Sequence, residues 1–155
     1  DAGRTVASSS CPTHVENGPD EAMDRMAEVM GELISQAGAR RADVVRVGLA
    51  TPGTMDIPAG TLLTPHNLAT WEYYPIRDKL AAACGIPVSF ENDANAAAFG
   101  EYWVGRGREH RSMVLLTLGT GVGGGIIIDG NVVRGDLEND AKGRRAVRQR
   151  TVRTE

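Results

Sequence analysis

Cysteine is scarce: the 155 residues contain two, Cys11 and Cys84, with no Cys-x-x-Cys pair and no histidine at ligand spacing. A disulfide framework and a structural zinc site therefore both lack their raw material. Long apolar runs are missing too. No stretch approaches the roughly 18–20 residues that cross a bilayer, and the first residues carry no charged segment leading into an apolar one. These absences set the expectation of a soluble, cytoplasmic protein with no membrane partner. Aromatic residues make up 5% of the chain, yet hydrophobic residues reach 41%, enough aliphatic surface for a folded core and too much for wholesale disorder. A basic body is also lacking. Residues 141–155 hold six of the 17 basic residues and one acid, so the tail is near +5 and the remainder near −8. An acidic body argues against nucleic acid as the main partner.

What is present is an alternation of helical and strand patterns without internal repeats. From Asp20 to Ala37 the apolar residues Met23, Met26, Met30, Leu33, Ile34 and Ala37 recur at helical spacing, with Pro19-Asp20 as a start and Gly38 as a stop. The methionines read as core filler. Val44 to Ala50 reads as a buried strand ended by Thr51-Pro52-Gly53, and helix followed by strand suggests an α/β crossover. Arg4 to Ser10 reads as a weak strand. Met55 to Tyr74 reads mostly as loop around a short apolar piece, Thr61 to Leu63, and a loop of that length is expected to have a function. Pro75 to Gly85 marks a second helix and Pro87 to Glu91 a strand. A helix over Ala94 to Val104 and an apolar strand over Ser112 to Leu118 follow. Gly119 to Gly125 then reads as a glycine-rich turn, leading into a strand at Ile126 to Ile128. Asp129-Gly130 is a tight hairpin turn into Asn131 to Val133.

Two segments could carry chemistry. Five glycines fall in the seven residues Gly119 to Gly125, between apolar strands, where bare backbone can approach a ligand and aim several N–H groups at it. Such a run suits a phosphate, and it equally suits a plain tight hairpin. It is not a Walker A loop, because no Gly-Lys-Ser/Thr follows, nor a dinucleotide fingerprint, because a strand follows it rather than a helix. Asn92-Asp93-Ala94-Asn95 places one carboxylate at a strand-to-helix junction, the usual position of functional side chains in an open α/β sheet. Asp93 could take a proton from a substrate hydroxyl or cap the helix.

Together and in this order, Phe90-Glu-Asn-Asp-Ala-Asn-Ala-Ala-Ala-Phe-Gly-Glu101 and Leu116-Thr-Leu-Gly-Thr-Gly-Val-Gly-Gly-Gly-Ile-Ile127 resemble the ROK (repressor, open reading frame, kinase) sugar kinases. Val47-Gly-Leu-Ala-Thr-Pro-Gly53 extends the likeness upstream, and Thr64-Pro-His-Asn-Leu-Ala-Thr-Trp71 is similar to a sugar-site loop of the family's glucokinases. The resemblance covers roughly residues 40 to 136. It implies an α/β chain of the actin-like (ribonuclease H-like) two-lobed fold. Sugar and ATP would meet between the lobes, with Mg2+ accompanying the nucleotide, and the protein would form homo-oligomers.

The division expected from the resemblance is residues 1–111 as an incomplete first lobe, 112–140 as the start of the second lobe, and 141–155 as a basic tail without pattern. Carried over by position, Asp93 is the general base for the 6-hydroxyl of glucose or a related hexose, and Asn92 and Asn67 bind sugar hydroxyls. Gly119, Thr120, Gly121 and Gly123 face the ATP phosphates. Glu101 matches a family glutamate and reads as structural, while His66 and Trp71 flank the sugar loop as packing or anchoring residues. The family's Asp-x-Gly-Gly-Thr turn has only a superficial counterpart in Asp1-Ala-Gly-Arg-Thr5, and its zinc-holding cysteine cluster does not follow Gly135. The expectation is thus a partial chain with little or no kinase activity of its own. The competing expectations are the core of a sugar-sensing ROK transcriptional regulator and a non-catalytic fragment.

Overall fold

The computed structural model describes residues 3–65, 68–119, 121–139 and 145–149. By its contacts the chain divides into two compact units, Asp1–Asn92 and Asp93–Glu155.

The first unit is built on the long amphipathic pattern. Helix α1 (Pro19–Gln36) starts with proline at a position where its missing N–H is not needed. It stops at Gly38, whose φ of 65° lets its N–H reach Ser35 C=O while the Ala39 N–H reaches Ile34 C=O, the paired bonds of a glycine-terminated helix. Ala22 and Met23 are buried, and Met26, Met30 and Ile34 pack against the same cluster, so the methionine stripe fills the core as its spacing predicts. Strand β1 (Val47–Thr51) follows α1.

The stretch expected to be mostly loop holds a hairpin, β2 (Thr54–Asp56) against β3 (Thr61–Thr64). The pairing was missed because the turn is held from a distance. Arg77 donates to the carbonyls of Pro58 (2.9 Å) and Ala59 (3.2 Å), and the Asp56 carboxylate accepts the Ala59 N–H at 2.9 Å. Gly60, at φ 74°, leaves room for that arginine: a Cβ there would sit 2.6 Å from its Cζ. Helix α2 (Ile76–Cys84) leads into β4 (Val88–Asn92), which pairs parallel with β1. Leu49, Leu62, Trp71, Ile76, Leu80, Cys84 and Phe90 form the shared core. Trp71 is buried and tilted against Tyr74 with ring centroids 6.2 Å apart, the packing role read for it.

One polar cluster ties α1 to this core. The Asp20 carboxylate accepts from Lys79 Nζ at 2.9 Å and from Tyr74 Oη at 2.7 Å. Those bonds, Lys79 first and Tyr74 second, hold Asp20 below its ordinary value, whereas burial, reinforced by Asp20, pushes Tyr74 up. A depressed carboxylate contributes stability that is present above its unfolded value, near 4, and is lost as pH falls through the folded one. The raised tyrosine behaves in the mirror sense: its contribution is present below about pH 10 and is lost as pH rises. Asp20→Asn is therefore expected to lower Tm at pH 7 by about 1–2 °C, a difference that shrinks as pH falls below the ordinary aspartate value and vanishes once pH is below the folded one. Thermal melts across pH check this, and a difference that persists in acid would refute it.

The second unit sets helix α3 (Asp93–Val104) against an antiparallel sheet of β5 (Met113–Leu118), β6 (Val122–Ile128) and β7 (Asn131–Val132), in that order. Strand β6 begins inside the glycine run, earlier than the apolar pattern marks it. Asp129 and Gly130, at φ 47° and 79°, make the tight turn into β7. Strands β8 (Gly135–Asn139) and β9 (Arg145–Gln149) pair antiparallel. Arg4 to Ser10 is not a strand: it joins no ladder, and Val6 is exposed. Among the described residues no helix is long and apolar enough to cross a membrane.

Candidate functional site

Strands β1 and β4 run in register, and their buried-face rungs are Val47 with Val88, Leu49 with Phe90, and Thr51 with Asn92. Two apolar rungs thus give way to a polar one at the carboxyl end, where ligands bind in open parallel sheets. The Asn92 N–H donates to Glu91 Oε1 at 3.0 Å, and its side chain is half-buried. Gly53, at φ 100°, closes the turn after β1 against the segment that leaves β3; a Cβ there would lie 2.8 Å from the Pro65 Cα. The end of β1, the end of β4 and the exit of β3 therefore meet at one edge. Asn67 and His66 lie outside the described residues.

Asp93 follows Asn92 directly as the first residue of α3 and is exposed. Its Oδ1 accepts the Ala94 N–H at 2.8 Å, a favourable place for negative charge at a helix start. Capping and proton transfer do not exclude one another, because a carboxylate has a second oxygen with acceptor capacity.

The glycine run divides into two groups. Gly123 and Gly125 lie in β6 beside the first turns of α3. A Cβ on Gly125 would come 2.5 Å from Ala98 Cβ and 2.8 Å from Ala94 C=O, and one on Gly123 would meet Thr117 Oγ1 at 2.6 Å and Ala94 Cβ at 3.3 Å. These glycines seat the helix that carries Asp93. Gly119 and Gly121, at the hairpin tip, are different: a Cβ on either would touch nothing within 4 Å, and neither has positive φ. Neither packing nor backbone conformation requires glycine there, and the bare tip suits the approach of a phosphate. Thr120 lies outside the described residues.

Glu101 accepts the Arg106 N–H at 2.9 Å and so ties the turn that follows α3 back to the helix, a structural role. His110 is exposed. Sequence reasoning missed Thr51, which is 7% exposed and whose hydroxyl has no hydrogen-bond partner among the described residues. Its signal was available in the polar break of an otherwise apolar strand.

Comparison with known proteins gives this arrangement its context. The profile described as "ROK family" matches residues 5–140. A glucokinase of Halalkalibacterium halodurans is 36% identical over 134 residues, 86% of this chain and 40% of that protein. Among solved structures, a ROK hexokinase from Thermus thermophilus superposes with a TM-score of 0.77 at 37% identity, covering 88% of this chain and 44% of that one. A ROK family glucokinase from Streptomyces griseus, solved in complex with glucose and AMPPNP, gives 0.61 at 36% identity over 81% of this chain and 37% of that one. The chain spans 40% of the length of the curated relative quoted and shares the actin-like fold of these sugar kinases over that part.

Proposed function

Because this chain belongs to the ROK family, we propose that it is the sugar-binding and base-bearing part of an ATP-dependent hexose kinase acting in the cytoplasm, with glucose as acceptor. Asp93 is the general base, Asn92 and Asn67 bind sugar hydroxyls, and Gly119, Thr120 and Gly121 face the nucleotide phosphates. Gly123 borders that surface while also seating α3. The observation that carries the reading is the bare hairpin tip, where a Cβ on Gly119 or Gly121 would touch nothing within 4 Å, in the same unit as the helix that begins at Asp93.

Phosphoryl transfer asks a protein for position and charge neutralisation more than for covalent help. In this reading Asp93 takes the proton of the sugar 6-hydroxyl as that oxygen bonds to the terminal phosphorus and the bond to the ADP oxygen breaks. Backbone N–H groups at the tip orient the phosphates. Magnesium, which usually keeps water and phosphate ligands rather than a protein cage, supplies neutralising charge when bound with ATP.

An NMR titration of the isotopically labelled chain tests the assignment. D-glucose is expected to shift resonances at Thr51 to Gly53 and Asn92, and magnesium with AMPPNP those of Gly119 and Gly121. Absence of the glucose shifts would overturn the proposal, and absence of the nucleotide shifts would remove the phosphate role from the hairpin tip.

A further inference from the structure

The buried face of the β1 and β4 pair poses a physical problem at its last rung. Thr51 is more than nine-tenths buried, and its Oγ1 has no hydrogen-bond partner among the described residues. A hydroxyl withdrawn from water without a partner is a net cost to folding. Valine, of nearly the same shape, would continue the apolar rungs of Val47 and Leu49 without that cost. The hydroxyl is therefore not explained by the fold. Its register neighbour is Asn92, the residue next to Asp93, and the two side chains leave the same face of the sheet because residues opposite one another in parallel strands do so.

Resting on the kinase reading above, we infer that Thr51 is a positioning residue of the sugar site, its hydroxyl fixing the Asn92 side-chain amide when a hexose is bound. Asn92 lies half-buried at the mouth of the site and Thr51 lies beneath the surface, so Thr51 acts through Asn92 and does not touch the sugar. In the free chain the hydroxyl has no hydrogen-bond partner among the described residues. On binding it gains its bond, and part of the sugar's binding energy comes from removing that buried deficit.

The test compares Thr51→Val and Thr51→Ser in the 155-residue chain, with D-glucose as the probe. Thr51→Val is expected to weaken glucose binding about tenfold, the size of one lost hydrogen bond, while Tm stays the same or rises. Thr51→Ser, which keeps the hydroxyl, should bind within about twofold of the parent. The side-chain amide resonances of Asn92 should move on glucose addition in the parent and the serine variant and move less in the valine variant. A residue with a merely structural role would not produce weaker binding together with undiminished Tm. Parent-like binding by Thr51→Val would overturn this inference alone. A loss of Tm in both variants would also overturn it, by making the residue structural. Failure of the unaltered chain to bind glucose would overturn the kinase reading and this inference with it.

Discussion

Asp93→Asn is expected to slow hexose phosphorylation by about 10² to 10⁴ while leaving sugar affinity within a few-fold of the parent. The contrast follows from what the substitution keeps. Asparagine is a good residue at a helix start and retains an oxygen to accept the Ala94 N–H that Asp93 Oδ1 accepts at 2.8 Å, so α3 keeps its first turn and its seat on β6. Asn92, on the other side of the junction, keeps its rung with Thr51. What is lost is the capacity to take a proton, equivalent to roughly 3–5 kcal/mol of barrier. Because the chain spans 40% of the length of its curated relative, the rate is best measured with residues 5–140 carried in the frame of a full-length ROK kinase, alongside a glucose titration of both versions. Turnover within about threefold of the parent, well short of what a general base supplies, would remove Asp93 from the mechanism. Asp93→Ala adds a second effect, loss of the cap at about 1 kcal/mol, and so cannot separate the two roles.

Most of the scaffold was legible because its signals are local. Helices α1 and α2 carry apolar spacing and end at glycines whose positive φ, 65° at Gly38 and 64° at Gly85, is the conformation glycine supplies cheaply. The parallel strands, the start of α3 and the apolar strand β5 stand where their patterns put them. The hairpin of β2 and β3 was not legible, since strands of three and four residues are too short to show a period. Its turn depends on Arg77, which arrives from the next helix. Asp93 and the glycine run were recognisable as a pair from order and composition. Their closeness was not, because it depends on which glycines pack against α3, and a string of five glycines does not say which positions need the missing side chain for packing and which for a ligand. Thr51 escaped notice for a related reason: a threonine next to a proline reads as turn chemistry until its hydroxyl is seen to be buried.

The division among the glycines can be separated experimentally, since the two groups are expected to respond in opposite ways to the same added methyl. Gly125→Ala places a Cβ 2.5 Å from Ala98 Cβ and 2.8 Å from Ala94 C=O. Neither neighbour is the flexible end of a side chain, so α3 or β6 must shift, at an overpacking cost of about 1–3 kcal/mol and a fall in Tm of about 2–12 °C. The same shift displaces Asp93 along with its helix, so activity should fall with stability. Gly119→Ala and Gly121→Ala meet open space at ordinary φ. There the methyl restricts the unfolded chain more than the folded one, and Tm should hold or rise slightly. If the tip receives phosphates, however, that methyl occupies ground the ligand needs, and AMPPNP binding in the presence of magnesium should weaken by about tenfold or more, an energy near 1.4 kcal/mol. Gly123→Ala falls between the groups, because Thr117 Oγ1 can rotate away from the 2.6 Å contact whereas Ala94 Cβ at 3.3 Å cannot. Thermal melts and nucleotide titrations on all four variants read out the two effects independently. A Gly125→Ala protein as stable as the parent would show that α3 does not depend on the bare strand, and tip variants with undiminished nucleotide affinity would remove the phosphate role from Gly119 and Gly121.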